Sequence, residues 1–366
     1  MRFSYYLNPQ TPSPADDGRV LDEVFGQLDL ITKLGYSDVW ITDHQFTGYN
    51  VFSDPMAMAA AVSQRVPKLD IGLAVAVVPL MHPIRFVTQC NLIHQLTKGR
   101  FTVGYGPGNS PDEFAGYGFD REQRHEIMRE FMEVCELAWD PPSEEGFEYS
   151  GKYYQCNVKG RIIPAPYQEQ RPHIATATST PERLEDVGRR GYSMLLGPQS
   201  PEFLAARLYH YLNGTATLDE AARERAWRDT AVLRQIYVAE EGENWMESIA
   251  DVLDVYARKS LRANTGIDDL PKADMDKRKQ QYLERGWLYA GTADEVFEKL
   301  RPFAELGIEN LITWVNFGHM DNDRVCAGLE RFSKNVMPRL QEVAPREGKL
   351  DELIAQNAGM LMSPVP

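Results

Sequence analysis

Apolar and polar residues follow one another along the chain in blocks that predict strands and helices in regular succession. The apolar stretch Arg2–Leu7 predicts a first strand, and the residues that lead to Gly35 have helical spacing. Asp38–Thr42 and Asp70–Val78 predict the next strands, and Asp70–Val78 is almost wholly apolar, as expected for a strand covered on both faces. A fourth strand at Phe101–Gly106 completes a rhythm that is typical of a parallel sheet.

The second half of the chain continues this rhythm with two interruptions. A hairpin is predicted at Gly146–Gly160, after the fourth helix, and a charged, mostly helical insertion at about 240–290, after the seventh strand. The remaining four predicted strands are His173–Thr178, Ser193–Gly197, Ala231–Ala239 and Glu309–Phe317. Eight β/α units predict a (β/α)8 TIM barrel with these insertions, and an open doubly wound sheet is the alternative.

This pattern predicts a single domain over residues 1–342, followed by a loosely held C-terminal tail, 343–366. A last helix is expected at Arg324–Leu340. The length of 366 residues suits one α/β barrel with insertions.

Charge and cysteine content narrow the possible partners and the compartment. The chain has 53 acidic and 39 basic residues, a net charge of −14, and no cluster of Lys and Arg, so a nucleic-acid partner is not expected. The longest nearly uncharged apolar run, Ile71–Met81, is shorter than the ~20 residues that span a bilayer, and the N-terminus has no apolar leader segment. Four widely spaced cysteines fit reduced thiols. We therefore expect a cytoplasmic protein without a membrane partner. A homodimer or larger homo-oligomer is also expected.

His44 follows the second strand and is the first candidate for chemistry. The working face of a TIM barrel lies at the C-terminal ends of its strands, which places His44 on the working rim. An imidazole there suits a general acid or base, because its pKa lies near physiological pH. The alternative, a turn histidine bonded to Asp43 or to backbone, stays open at this point.

Two other strand ends have residue types that suit a cofactor. The glycines of Gly104–Pro111 let backbone approach a flat ligand closely, although a plain tight turn is an equal explanation. After the fifth strand, Thr178, Ser179 and Thr180 precede a helix start and would suit a phosphate. A capping box formed by Ser179 and Glu182 explains the same residues without a ligand.

Metal and nucleophile chemistry have little support in the sequence. His319 lies beside two aspartates, but no paired-ligand spacing accompanies it, and a solvated loop is the favoured interpretation. No nucleophile elbow or Cys/His arrangement is present. An organic cofactor is therefore the expected source of the chemistry, and no metal is predicted.

Six segments, in order along nearly the whole chain, resemble the bacterial luciferase-like family of flavin-dependent monooxygenases. These segments are "GYSDVWITDHQF", "LAVAVVPLMHPIR", "LTKGRFTVGYGPG", "IIPAPYQEQRPHIATATSTPE", "GTADEVFEKL…LGIENLI" and "FSKNVMP". The resemblance implies a TIM barrel that uses reduced FMN, supplied by a separate flavin reductase, and activates O2 as a flavin C4a-peroxide. The substrate would be a small, largely apolar organic molecule.

The resemblance also implies roles for particular residues. His44 would be the catalytic acid/base, and Ala74–Val75, often a non-proline cis peptide in the family, would lie under the flavin ring. The other residues implied to bind the cofactor are Tyr105, Gly106, Arg124, Ala177, Thr178, Ser179 and Thr180, with Arg124, Ser179 and Thr180 at the phosphate. Gln45, Trp314 and Phe317 are expected at the substrate pocket, although core packing is the simpler role for Trp314.

Two departures from the luciferases set this chain apart. Gly106–Pro107 stands where luciferases have a Cys-Arg pair, and His44–Gln45 where they have two histidines, so light emission is not expected. The 240–290 insertion would serve as a lid. An F420-dependent hydride-transfer enzyme and a non-catalytic flavin-binding subunit are the alternatives on the same fold.

Overall fold

The computed structural model describes residues 1–140, 144–178 and 180–356. These residues form twelve strands: β1 (Arg2–Leu7), β2 (Asp38–Ile41), β3 (Asp70–Leu73), β4 (Ala76–Val77), β5 (Phe101–Gly106), β6 (Gly146–Ser150), β7 (Gln155–Lys159), β8 (His173–Thr176), β9 (Ser193–Leu196), β10 (Ala231–Val238), β11 (Leu288–Gly291) and β12 (Asn310–Trp314).

Eight of these strands close into a parallel barrel. The ring runs β1–β2–β3–β5–β8–β9–β10–β12, and β12 pairs with β1 to close it. This is a (β/α)8 TIM barrel, as the sequence predicts, and the predicted hairpin is confirmed as the antiparallel pair β6–β7.

Helices cover the outside of the barrel. They are α1 (Asp17–Lys33), α2 (Pro55–Arg65), α3 (Pro83–Leu96), α4 (Pro111–Tyr117), α5 (Arg124–Trp139), α6 (Pro181–Arg189), α7 (Pro201–Thr215), α8 (Glu220–Arg228), α9 (Trp245–Ser248), α10 (Ala250–Thr265), α11 (Lys272–Glu284), α12 (Ala293–Glu305), α13 (Asn322–Asn335), α14 (Met337–Glu342) and α15 (Lys349–Gln356). Short 3-10 turns lie at Val78–Leu80, Arg121–Gln123 and Tyr167–Glu169. None of the described helices is long and apolar enough to cross a membrane.

Large and small side chains alternate inside the barrel. Trp40 on β2 is in register with Gly72 on β3, and both lie on the inner face. A Cβ added at Gly72 would lie 2.3 Å from Trp40 Cε3, so the indole fills the volume that a larger side chain would occupy. The barrel is therefore a packed core, and space for ligands lies above its strand ends.

Three predicted elements differ from the structure. The third strand ends at Leu73, and Ala76–Val77 continues as the separate strand β4. The insertion is helical through α9, α10 and α11, but it ends in β11, which extends the sheet beside the second half of β10. The predicted last helix is divided into α13 and α14, because Val336 has a φ of −116°.

The segment predicted as a loose tail contains a folded helix. Helix α15 packs against α7, and Leu353 is buried because its apolar side chain docks there. Residues 357–366 lie outside the described part of the chain.

Candidate active site

The loop that follows β2 brings His44 to the C-terminal mouth of the barrel. Its Nδ1 lies 3.1 Å from Oε1 of Glu113 on α4, and the backbone N–H of Gln45 donates to the same oxygen at 3.0 Å. The Glu113 side chain is 1% exposed and that of His44 27% exposed. With Glu113 ionised, Nδ1 carries the proton and Nε2 is left to exchange one with a ligand.

Asp43 ties the same loop to the segment after β3. Its Oδ2 accepts from the backbone N–H of Val77 at 3.0 Å, and its Oδ1 accepts from Nε2 of Gln45 at 2.9 Å. Burial raises the pKa of Asp43 to about 6, although the Val77 N–H lowers it in part. Gln45 also donates to the carbonyl of Ser53 at 2.8 Å, so its amide holds the loop together.

The peptide bond between Ala74 and Val75 is cis and lies between β3 and β4. The hydroxyl of Tyr6 donates to the Ala74 carbonyl at 3.1 Å. Gly106 ends the neighbouring strand, where a Cβ would lie 2.7 Å from Cγ2 of Val75. Glycine at this position therefore allows the ends of β4 and β5 to approach closely beside the cis peptide.

Thr180 and Arg124 lie at the starts of two helices. Thr180 is the N-cap of α6, and its side chain makes no capping hydrogen bond. The predicted capping box rests on Ser179 and Glu182. Ser179 itself lies outside the described residues. Arg124 begins α5, and its guanidinium donates to the Arg121 carbonyl at 2.9 Å.

Tyr105 lies on the outer side of β5. Its side chain lines a cavity of about 280 Å³ between α5 and α6, together with Met128, Thr178 and Val187. Burial raises the pKa of its hydroxyl to about 12. Along a strand successive side chains point to opposite faces, so Gly104 and Gly106 face inward where Tyr105 faces outward. That Tyr105 lines the flavin stays a prediction.

An aromatic cluster lies beside His44. Trp314 and Phe317, predicted at the substrate pocket, are 4% and 1% exposed. Trp314 lies 5.3 Å from Tyr6, 6.2 Å from Tyr49 and 5.4 Å from Tyr256 between ring centroids. The Tyr49 ring is edge-on to His44 at 4.8 Å. Because Tyr256 belongs to α10, the insertion docks over the barrel mouth through this cluster.

Comparison with known proteins decides the family. The family described as luciferase-like monooxygenase matches residues 1–310. The chain belongs to the luciferase-like monooxygenases. It is therefore an enzyme, a flavin-dependent monooxygenase, and the resemblance and the fold class read from the sequence are both confirmed.

Individual relatives are distant but cover nearly the whole of this luciferase-like monooxygenase. The oxygenase component of the flavin-dependent trigonelline monooxygenase of Acinetobacter baylyi is 22% identical, over 93% of this chain and 96% of its own. The oxygenating constituent of 3,6-diketocamphane monooxygenase of Pseudomonas putida, solved with FMN, has a TM-score of 0.73 at 17% identity, covering 95% and 100%. An F420-dependent secondary alcohol dehydrogenase has a TM-score of 0.72 at 17% identity, covering 93% and 98%.

Sequence reasoning assigned no functional role to four polar residues at the mouth of this monooxygenase. Glu113 and Asp43 hold the His44 loop. Asn8 and Gln235 are each 1% exposed, and both amide atoms of each lack a partner among the described residues. No spacing motif marks any of them, although alternation along β10 would have placed Gln235 on the inner face, in register with Trp314.

The residues at this mouth fit a flat, polar-edged cofactor. Gly106 presents no side chain at one edge of the mouth. The amides of Asn8 and Gln235 are unpartnered buried donors and acceptors, which native proteins rarely leave without a ligand or water. No group of three or more His, Cys, Asp or Glu suited to a metal occurs in the part of the chain that the structure describes.

Proposed function

We propose that this luciferase-like monooxygenase is the oxygenase component of a two-component system. It takes FMNH2 from a separate flavin reductase and O2 from solution, and it oxygenates a small, largely apolar organic molecule. The oxygenase component from Acinetobacter baylyi and the FMN-bound structure from Pseudomonas putida support this proposal. The observation that carries it is the His44–Glu113 pair at the barrel mouth.

In this proposal different residues bind the two ends of the flavin. Ala74, Val75 and Gly106 would line its ring system through backbone, and Ala177, Thr178 and Thr180 would bind its phosphate near Arg124. Reduced FMN supplies the two electrons with which one atom of O2 enters the substrate and the other leaves as water. Every other requirement falls to the protein: binding, orientation, proton movement and exclusion of water.

His44 is the proton carrier in this proposal. Glu113 holds Nδ1 through a contact of 3.1 Å, which fixes the ring and leaves Nε2 to give or accept a proton. The buried carboxylate stabilises the imidazolium when Nε2 is protonated, in the manner of an acid that orients a catalytic histidine.

The aromatic cluster gives the pocket its preference and keeps it dry. Tyr49, Tyr256, Trp314 and Phe317 form an apolar wall, with Tyr256 contributed by the insertion. Such a wall favours an apolar substrate. Because the insertion excludes water from the site, it also protects the activated oxygen from wasteful decay.

The deciding experiment is an anaerobic titration of the protein with FMNH2 and, separately, with F420H2, followed by mixing with O2. We expect micromolar or tighter binding of FMNH2, and reoxidation of the bound flavin at a rate that differs from that of free FMNH2. Failure to bind FMNH2 together with tight binding of F420H2 would overturn the proposal in favour of hydride transfer. FMNH2 binding without any effect on its oxidation would favour a non-catalytic flavin-binding subunit.

A further inference from the structure

Helix α10 of the insertion packs along the loop that carries His44. Nζ of Lys259 donates to the carbonyl of Thr47 at 3.4 Å. The hydroxyls of Tyr49 and Tyr256 lie 3.4 Å apart, and the Tyr49 ring is edge-on to His44. One face of α10 therefore contacts the loop just beyond the histidine.

The same helix reaches the start of α4, which carries Glu113. Nε of Arg262 donates to Oδ2 of Asp112 at 2.5 Å, and Asp112 directly precedes Glu113 in the chain. Gly266 follows α10 with a φ of +73° and lies against Pro111, where a Cβ added to the glycine would be 3.8 Å from Cβ of the proline. Helix α10 therefore contacts the elements that carry both members of the pair.

Helix α4 depends on such contacts for its position. It has seven residues, and its N-cap Ser110 makes no capping hydrogen bond through its side chain. A helix this short is unstable in isolation, so tertiary contacts must hold it. Phe46 packs over Gly116, where a Cβ would lie 2.3 Å from Cε2 of the ring. The neighbours of α4 therefore decide where the Glu113 carboxylate lies.

The guanidinium of Arg262 is held between two carboxylates. It forms ion pairs with Asp112 on α4 and with Asp268, which follows α10. The side chains of Arg262 and Asp112 are 36% and 28% exposed, so water screens their attraction only in part. Because Asp268 already restricts the guanidinium, little further freedom is lost when it binds Asp112. This favours the link between the insertion and α4.

We propose that Arg262 is a positioning residue for His44. By binding Asp112 it fixes α4, and α4 fixes the Glu113 carboxylate that holds Nδ1 of the imidazole. Docking of the insertion and orientation of the proton carrier then occur together, so that Nε2 exchanges its proton in a site closed to water. This inference rests on the proposed role of His44, and it adds a residue that acts through α4.

The test compares Arg262→Gln with Arg258→Gln in the full chain. Arg258 is the matched control, because it lies on the same helix with a side chain 43% exposed but pairs with Asp254 and Asp269 inside the insertion. The measurement is the rate at which the Nδ1 proton of His44 exchanges with solvent, followed by NMR of protein that contains 15N-labelled histidine.

We expect this exchange to be about threefold to fivefold faster in Arg262→Gln, because loss of the ion pair lets Glu113 leave the imidazole more often. Arg258→Gln should stay within about twofold of wild type. Arg262→Lys should restore most of the protection, since its ammonium group can still bind Asp112. Asp112→Asn should match Arg262→Gln, and the double variant should exchange no faster than either single variant.

A second readout is hydrogen exchange of the backbone amides. In Arg262→Gln the amides of α4 should exchange about threefold to fivefold faster, while those of α3, which packs on α2 and α5, should not change. Equal acceleration in both helices would indicate general destabilisation and would refute a positioning role.

The outcomes separate this inference from the proposed function. If Arg262→Gln behaves like Arg258→Gln, the positioning role is refuted while the role of His44 stands. If the Nδ1 proton is unprotected in wild type, Glu113 does not hold the ring, and the inference fails with the proposed orientation of His44. Arg262→Gln should bind FMNH2 within about twofold of wild type, and a larger loss would place Arg262 at the cofactor instead. If wild type fails to bind FMNH2, the proposed function fails whatever the exchange rates.

Discussion

The two mouths of the barrel treat their buried polar groups in opposite ways. At the N-terminal mouth charged side chains are matched: Arg2 binds Asp229 at 2.9 Å and Asp38 at 3.5 Å, and Arg100 lies 3.5 Å from Asp70. The unpartnered atoms there include Nε of Arg2, which borders a cavity of about 400 Å³ with room for water.

At the C-terminal mouth several groups are left open. Asn8 and Gln235 are buried without partners among the described residues, and Asp43 is a buried carboxylate that forms no ion pair with a Lys or Arg of the described part of the chain. His44 has one ring nitrogen held by Glu113 and the other available. The difference agrees with the proposed function: the N-terminal mouth has paired charges, and the C-terminal mouth has donors and acceptors that a ligand could pair.

Among the variants that test this comparison, His44→Ala is expected to have the largest effect, a loss of activity. Loss of the proton carrier should lower product formation at saturating FMNH2 by about 10²–10⁴-fold, with the free energy of unfolding little changed. His94→Ala is the control, because His94 accepts from the backbone N–H of Tyr167 at 3.1 Å, away from the mouth. That variant should lose stability and keep its turnover. Full activity in His44→Ala would remove His44 from the mechanism.

The pH dependence of the free energy of unfolding should show that Asp43 is a buried carboxyl group with a raised pKa. Its pKa of about 6 in the folded state lies above the ordinary value of 3.8, so the folded protein retains a proton that the unfolded chain releases between these values. The free energy of unfolding should therefore fall as pH rises from about 4 to 6, by about 3 kcal/mol in total.

Chemical denaturation of wild type and Asp43→Asn across this range measures the effect. The stability of wild type relative to Asp43→Asn should decline with rising pH. Asp70→Asn is the counterpart at the other mouth, where burial also raises the pKa to about 6 but the side chain is 44% exposed. Solvent screening there should leave a smaller change. A flat difference for Asp43→Asn would contradict the assignment.

Much of this contrast follows from the order of elements along the chain. The first and fourth predicted strands, Arg2–Leu7 and Phe101–Gly106, have the bounds found in the structure, because apolar runs and glycine turns delimit them. His44 follows β2 directly, so counting strands places it on the correct rim.

The partners of these groups were not predictable, because they are tertiary contacts. Glu113 lies 69 residues after His44, on a helix whose sequence shows no sign of the pairing. Strand β11 is four residues long and follows charged helices, so periodicity does not distinguish it from the insertion.

Asp229→Asn should destabilise the N-terminal mouth, where the charged side chains are paired, without changing catalytic activity. The carboxylate binds Arg2 at 2.9 Å and Arg228 at 3.3 Å, and it lies 3.9 Å from Nε2 of His173. Its replacement should lower the free energy of unfolding by about 2 kcal/mol, since the half-buried cations lose their counterion. Asp294→Asn is the control: its side chain is 86% exposed, so its ion pair with Arg339 should contribute less than about 1 kcal/mol. Equal effects of the two variants would erase the distinction between a matched network and a surface pair.

Two buried glutamines allow the finest test of the contrast. Gln27 on α1 is 3% exposed and fully engaged: it accepts from Tyr5 at 2.6 Å and from Asn316 at 3.0 Å, and it donates to Asn322 at 2.9 Å. Gln235, at the C-terminal mouth, has no such partners among the described residues.

Gln235→Leu should therefore raise the free energy of unfolding of the free protein by about 1 kcal/mol, because it removes unpaired buried polar atoms. Gln27→Leu should lower it by about 2 kcal/mol, because it leaves the Tyr5 hydroxyl and the Asn316 amide without their acceptor. Denaturation of both variants, alone and with FMN, completes the test. If Gln235 serves a ligand, the stabilisation in Gln235→Leu should shrink when FMN is present, since the mutant has lost a group that the cofactor or its bound water would pair. If Gln235→Leu loses as much stability as Gln27→Leu, the Gln235 amide already has hydrogen-bond partners in the free protein. The C-terminal mouth would then have one unpaired polar group fewer than proposed.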